Sequence, residues 1–368
     1  MAEKKPRYLE VMDYIYSEME KGALKQGDRM PSEKELCDRF GLSRQTIRHA
    51  TGLLEKEGVI TRVRGSGSYI GEISDAEDRP RYMNVAVMLT YLDNYIFPKV
   101  VWGISNTLSQ SGYSMQLNFT DNSVEKEEEI LKSLLSNQNI DALIAEPSQG
   151  SLQNPNRKYY MELKEKHIPV LFINASYPNL DFPCIRLDDE WIGSQAVHLL
   201  AENGHKRIAG IFHCEDSQGS CRYLGYRKGL RECGLDVTGD QVIWLDTRGI
   251  QDVEELTPYI LERIEGCTGV FTYNDEVASR LIHGCKRAGL HLPEDLSIVS
   301  VDDAEMAANL HPSVTTFPHP KEVLGQVAAE NLIHLLNNPF YDANRTFRPE
   351  PVIRKSVADL RQRSKTAI

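Results

Sequence analysis

Residues 27–70 read GDRMPSEKELCDRFGLSRQTIRHATGLLEKEGVITRVRGSGSYI, and this stretch decides what the first domain is. Ser32 and Glu35 form a capping box. The serine side chain accepts the Glu35 N–H and the glutamate reaches back to the Ser32 N–H, so a helix starts there. It ends at Phe40-Gly41. After a short turn, Ser43 caps a second helix, RQTIRHATGLLEKEG, whose apolar stripe is Ile47, Ala50 and Leu54. Arg44 and Arg48 are one helical turn apart on another face, with Gln45 beside them. VITRV (59–63) and SYIG (68–71) flank a glycine-rich turn, which gives two short strands. Upstream, residues 7–21 place Leu9, Met12, Ile15, Tyr16 and Met19 on one face of a further helix, and Gly22 stops it. Two short helices joined by a Gly-containing turn, followed by a strand pair, make a winged helix-turn-helix whose second helix enters the DNA major groove.

The charge agrees once it is read by segment. The whole chain of 368 residues carries a net −11, which by itself argues against a nucleic-acid partner. Residues 1–75, however, hold 13 basic and 13 acidic side chains, so the excess acid lies entirely beyond them. Between 40 and 71, Arg44, Arg48, Lys56, Arg62 and Arg64 face only Glu55 and Glu57, a local basic footprint suited to phosphate.

At roughly 150 residues per domain the length accommodates more than this head. EISDAEDRPRY (72–82) is polar and aperiodic, and reads as a linker between a 1–71 head and an 83–368 body. In the body, apolar runs such as NVAVMLT (84–90), IPVLFIN (168–174), RIAGIFH (207–213) and LSIVSVD (296–302) alternate with amphipathic stretches such as 97–111 and 221–233. That alternation means parallel sheets covered on both faces. The body is large for one such sheet, so two α/β lobes with a cleft between them are expected. EKEEE (125–129) reads as the solvated start of a helix. No apolar run approaches the ~18 residues of a membrane span. MAEKKPRYLE has no apolar core of a signal peptide, and seven scattered cysteines without a C-x-x-C fit reduced thiols. A cytoplasmic protein with no metal, no cofactor and no membrane partner is expected.

Polar residues recur where the strands end: Asp93, Asn94 and Tyr95 after the first, with the ring of Phe97 beside them, Glu146 after DALIA, Asn174, Asn274 and Asp302 after later ones. Ligands of open α/β sheets bind outside the carboxyl ends of strands. Acceptors and amides interspersed with aromatic rings suit a polyhydroxylated ligand. Asp and Asn at such joints also cap helices, an alternative that applies most to Asp188, Asp189, Asp275 and Asp303.

With those residues in place, two resemblances emerge. Residues 7–71 resemble the GntR-type winged helix-turn-helix. The resemblance implies DNA contacts at Lys34, Arg44, Gln45, Thr46, Arg48, Arg64 and Gly65, with a further phosphate contact at Arg7. Residues 84–357 resemble the LacI/GalR-type effector domain, a two-lobed fold similar to periplasmic sugar-binding proteins. The motifs are Arg222 in SCRYLGYRKGL, TYNDEVA, IVSVDDAEMA and TTFPHPKEVLGQ, the last with His319 where that family usually has Gln. This implies ligand contacts at Asn94, Phe97, Asn174, Arg222, Asn274, Asp302 and His319. A cationic residue usual after the fourth strand is replaced by Ala175, which disfavours a hexose. YLDNYIFPKVVWGI, IAEPSQGSLQNPN, INASY and PHPKEVLG resemble arabinose-responsive members of the composite family, which implies L-arabinose as effector. Another pentose, a hexose or a nucleoside is the alternative.

The expectation is a sugar-released transcriptional repressor, working as a homodimer on double-stranded operator DNA. Two other classes compete. An enzyme acting on a sugar in the same cleft would need catalytic machinery, and no G-x-S-x-G, H-E-x-x-H or P-loop is present. A transport solute-binding protein would have neither the winged helix nor this N-terminus.

Overall fold

The computed structural model describes residues 6–25, 27–56, 58–63, 67–71, 81–91, 95–236, 238–337, 339 and 341–363. Two compact units result, Met1–Tyr82 with His334–Tyr341 and Met83–Ile333 with Asp342–Ile368. The first unit thus takes in a segment that the sequence reading placed in the body. Arg81 donates to Asn337 within it, at 3.4 Å.

The head contains α1 (Arg7–Glu20), α2 (Glu33–Phe40) and α3 (Arg44–Lys56), then β1 (Ile60–Val63) antiparallel to β2 (Gly67–Ile70). The expected caps are present. Ser32 Oγ accepts Glu35 N at 3.3 Å and Glu35 Oε2 accepts Ser32 N at 2.7 Å. Gly41 takes the left-handed backbone (φ 60°) that ends α2, a conformation nearly free for glycine alone. Ser43 Oγ accepts Thr46 N. Ile47, Ala50 and Leu54 close a core with Val11, Ile15, Leu36 and Ile70, each essentially fully buried. Arg29 bridges to Tyr69, so the wing pair gains a partner ahead of α2.

The body holds two parallel sheets. The first uses β3 (Asn84–Leu89), β4 (Ser114–Phe119), β5 (Ala142–Ala145), β6 (Val170–Ile173) and β7 (Cys184–Leu187). The second uses β8 (Ile208–His213), β9 (Val242–Leu245), β10 (Gly269–Thr272), β11 (Ser297–Asp302) and β12 (Thr315–Pro318). The last strand, β13 (Arg345–Phe347), returns to the first sheet. Their orders are β13-β7-β6-β5-β3-β4 and β12-β11-β10-β8-β9. The central strands β5, β6, β8, β10 and β11 are buried at every position, which is why they read as unbroken apolar runs. Edge strands β4, β9 and β13 are partly exposed and carry no such signal.

The chain crosses between the lobes after β7, after β12 and again after β13, where Val352 pairs with Thr316 of the second sheet. Helix Lys321–Asn337 packs on helix Phe97–Gln110 so tightly that a methyl group on Gly103 or Gly325 would meet the carbonyl oxygen of Glu322 or Val100.

One expectation is corrected. Residues 125–129 do open a helix, Val124–Asn137, but Glu127 is fully buried, not solvated. Its carboxylate accepts Tyr160 Oη (2.5 Å), Tyr177 Oη (2.8 Å) and Asn156 Nδ2 (3.0 Å). Those donors offset the desolvation that raises its pKa.

Candidate ligand cleft and nucleic-acid interface

Between the lobes, at the carboxyl ends of their strands, lies a cavity of about 330 Å3. Six of the expected ligand residues line it: Phe97, Glu146, Asn174, Arg222, Asn274 and Asp302. Asn94 lies outside the described residues. Tyr95 and His319 are held one step back. Tyr95 Oη donates to Asp302 Oδ2 at 2.5 Å, and His319 Nε2 bonds Asn174 Oδ1 at 3.0 Å.

On the first lobe the anchor is Glu146. Its Oε2 accepts the Thr90 N–H (3.1 Å) and hydroxyl (2.5 Å), and its Oε1 accepts Asn174 Nδ2 at 2.8 Å. Asn174 Oδ1 then remains for His319, so the proton on His319 sits on Nε2, as assigned from the network. Burial, with the charges of Lys321 and Arg222, pushes the imidazole down to about 3, so it is neutral. Its Nδ1 is a buried lone pair with no partner among the described residues. Asp302 Oδ1, on the strand paired beside His319, is equally buried and has no partner among the described residues.

On the second lobe the anchor is Arg222, one of the largest fully buried side chains. Nε donates to Asp189 Oδ1 at 2.8 Å and Nη1 to the Tyr273 carbonyl at 2.5 Å. This geometry depends on a close crossing of helices Asp189–Glu202 and Ser217–Glu232. Methyl groups at Gly193 and Gly225 would strike the carbonyl oxygens of Arg222 and Glu190. Asp189 is pushed up to about 6 by burial, against the pull of Arg222. Beside it, Asp216 accepts His213 Nδ1 at 3.1 Å and the Tyr273 hydroxyl. Burial alone would raise the Asp216 pKa, but the bond and charge of His213 outweigh it and the net direction is down. For His213 burial lowers and Asp216 and Glu215 raise, with a net rise.

Asn274 caps helix Asp275–Arg287 through Val277 N at 3.0 Å while also facing the cavity. Asp188 caps Trp191 N. The other joint residues do not cap: Asp189 pairs with Arg222, Asp303 with Arg354 at 2.5 Å, and Asp275 accepts Ala304 N and the Thr316 hydroxyl. Reading the sequence missed Thr90, His213, Asp216 and Tyr273 in the wall. Only Asp216 left a usable signal, as an acidic cap directly before the helix that carries Arg222.

On the head, Lys34, Arg44 and Gln45 are exposed. Arg48 is exposed but reaches Glu33 of α2 at 2.9 Å. Thr46 Oγ1 is 2.9 Å from Ser43 Oγ, and Arg7 donates to the Phe40 carbonyl at 3.4 Å. Arg64 and Gly65 lie outside the described residues.

A winged helix-turn-helix head with a two-lobed, ligand-sized cleft in its body defines a ligand-responsive transcription regulator. Comparison agrees for both parts. Residues 7–70 match the bacterial regulatory proteins of the gntR family, and residues 197–357 match the periplasmic binding protein-like domain. Two relatives named arabinose metabolism transcriptional repressor align almost end to end. That of Geobacillus stearothermophilus is 33% identical over 96% of this chain and 98% of its own. That of Halalkalibacterium halodurans is 33% identical over 96% and 97%. The solved structure of the transcription regulator CcpA of Lactococcus lactis is 26% identical and covers 76% of this chain and 100% of its own, with a TM-score of 0.67. The chain belongs to the family of arabinose metabolism transcriptional repressors. It is a sugar-responsive, DNA-binding repressor and not an enzyme. No helix among the described residues is long and apolar enough to cross a membrane.

Proposed function

We propose that L-arabinose is the effector, that it binds in the cleft between the lobes, and that its binding lowers operator affinity. The observation that carries this is Asp302 Oδ1, a buried acceptor in the cavity wall with no partner among the described residues, with the equally unpartnered His319 Nδ1 just behind the wall and Arg222 as a further polar corner. Buried acceptors without donors are costly, about 1–3 kcal/mol each, and hydroxyl protons of a bound sugar would satisfy them. Glu146, Asn174 and Asn274 would bind further hydroxyls, and Phe97 would pack on the C–H face. The names of the full-length relatives favour arabinose over other pentoses.

On the DNA side, Arg44 and Gln45 read base edges, Arg48 and Thr46 contact bases or adjacent phosphates, and Arg7 and Lys34 hold phosphates. The protein acts in the cytoplasm as a homodimer on a near-palindromic operator, since one winged helix reads too few base pairs for specificity. It needs no cofactor beyond the sugar.

The test is a gel-shift of the operator complex titrated with L-arabinose. Release at about millimolar sugar is expected, corresponding to ordinary monosaccharide affinities. A complex that persists at saturating L-arabinose and dissolves with another free sugar overturns the arabinose assignment.

A further inference from the structure

The cleft sits at the carboxyl ends of the strands, where helices begin. Helices Ser217–Glu232 and Asp275–Arg287 start at its wall, with Ser217, Gln218, Asn274 and Glu276 among the lining residues. A helix start presents free N–H groups and the positive end of the dipole, a ready phosphate site. Here both starts are already filled by the chain itself. Asp216 Oδ1 accepts Gly219 N at 2.7 Å, and Asn274 Oδ1 accepts Val277 N at 3.0 Å. The first turn of the second helix adds the carboxylates of Asp275 and Glu276.

The side-chain charges point the same way. The wall carries the carboxylates of Glu146, Asp216, Glu276 and Asp302 against one guanidinium, Arg222, and one imidazole, His213. Neither cation brings an uncompensated charge to an anion. Arg222 is tied to Asp189 at 2.8 Å, and His213 lies between Asp216 at 3.1 Å and Glu215 at 3.3 Å. Lys321, just behind, donates its ammonium protons to the carbonyl oxygens of Asp302 and Asp303. Against walls that hold the buried carboxylates of Glu146 and Asp302, a phosphate dianion would meet fixed negative charge at short range, with less screening than in bulk water. An uncharged polyol meets the same carboxylates as hydrogen-bond acceptors.

We propose that the cleft selects uncharged sugars and excludes their phosphate esters by charge, so that the repressor reports the sugar before any phosphoryl transfer to it. This rests on the reading of the cleft as the effector site. Phosphorylation of the sugar then ends the signal as effectively as its disappearance.

The experiment is calorimetric titration of the full-length protein with L-arabinose, D-xylose, D-ribose, D-glucose and D-fructose, each paired with a monophosphate. Every phosphate is expected to bind at least about 100-fold more weakly than a parent sugar that binds. A phosphate that matches or exceeds its parent overturns the proposal. Asp216→Asn keeps the cap on Gly219 and removes the charge, and should narrow the gap by about tenfold. Glu276→Gln, nearer the surface, should narrow it less and serves if the first variant does not fold. An unchanged gap in a folded variant means exclusion by size, and also overturns the proposal. If another free sugar binds and L-arabinose does not, the arabinose reading falls and the charge selection stands. If no sugar and no phosphate binds, both fall.

Discussion

Arg222 holds the second lobe's side of the cleft through Asp189 and the Tyr273 carbonyl, both out of water. Arg222→Ala therefore does two separable things. It strands the Asp189 carboxylate, a loss of about 3–5 kcal/mol that lowers the melting temperature. It also removes the donor that faces the sugar, so the variant should bind operator normally and ignore L-arabinose. Thermal melting and gel-shift titration read the two effects, and normal release from Arg222→Ala would show that the sugar is held elsewhere. Asp275 carries a pH signature. Burial and then the Asp302 charge raise it from 3.8 to about 7, against the bonds from Ala304 and Thr316. Between those values the folded state keeps a proton that the unfolded state has lost, so this group's contribution to stability falls as pH rises through the window. Asp275→Asn keeps an acceptor for the Ala304 N–H, turns an amide N–H toward the Thr316 hydroxyl, and should flatten the decline in melting temperature over that range. A wild-type slope in the variant would mean that another group titrates.

At the scale of elements, α2 and α3 are locked by their caps and by Leu36, Ile47 and Leu54, which leaves their outer faces to function. One contact there opposes the DNA role. Glu33 of α2 holds Arg48 of α3 at 2.9 Å with both side chains substantially exposed. An exposed pair of this kind is worth only about 0–1 kcal/mol, less than a phosphate contact gains. Glu33→Gln should tighten operator binding and steepen the salt dependence by about one ion, with the fold unchanged. Affinity measured across a salt series checks this, and a weaker complex would mean that Glu33 itself positions Arg48 for DNA. In the body, the glycine crossing at Gly193 and Gly225 is the element-scale device that places Asp189 under Arg222.

For the whole molecule, sugar and operator must act on each other reciprocally. If L-arabinose weakens operator binding about 100-fold, the coupling is about 2.7 kcal/mol, and operator must weaken sugar binding by the same factor. Calorimetry of the sugar with and without saturating operator measures it. Equal sugar affinities in the two states, alongside sugar-driven release, would require release by direct competition. Light scattering should find two chains per operator, and a single bound chain would remove the homodimer.

Much of this molecule was local, and what is local is legible. The capping box of Ser32 and Glu35, the stripe Ile47-Ala50-Leu54 and the buried central strands are set by neighbours a few residues away, so hydrophobic period and cap chemistry reveal them. Asn174, Arg222, Asn274 and Asp302 could be proposed for the cleft because strand ends and family motifs mark them. Glu127 could not. Its run of glutamates reads as solvent-facing, and only the arrival of Asn156, Tyr160 and Tyr177 from later segments makes its burial possible. Nor could the meeting of Tyr273 with Asp216, or of Arg222 with Asp189, which lies 33 residues away. Periodicity reports which side of an element is apolar. It says nothing of which polar group from a distant element arrives to offset the desolvation of a buried charge, and in this protein that choice, made by tertiary packing, sets the chemistry of the cleft.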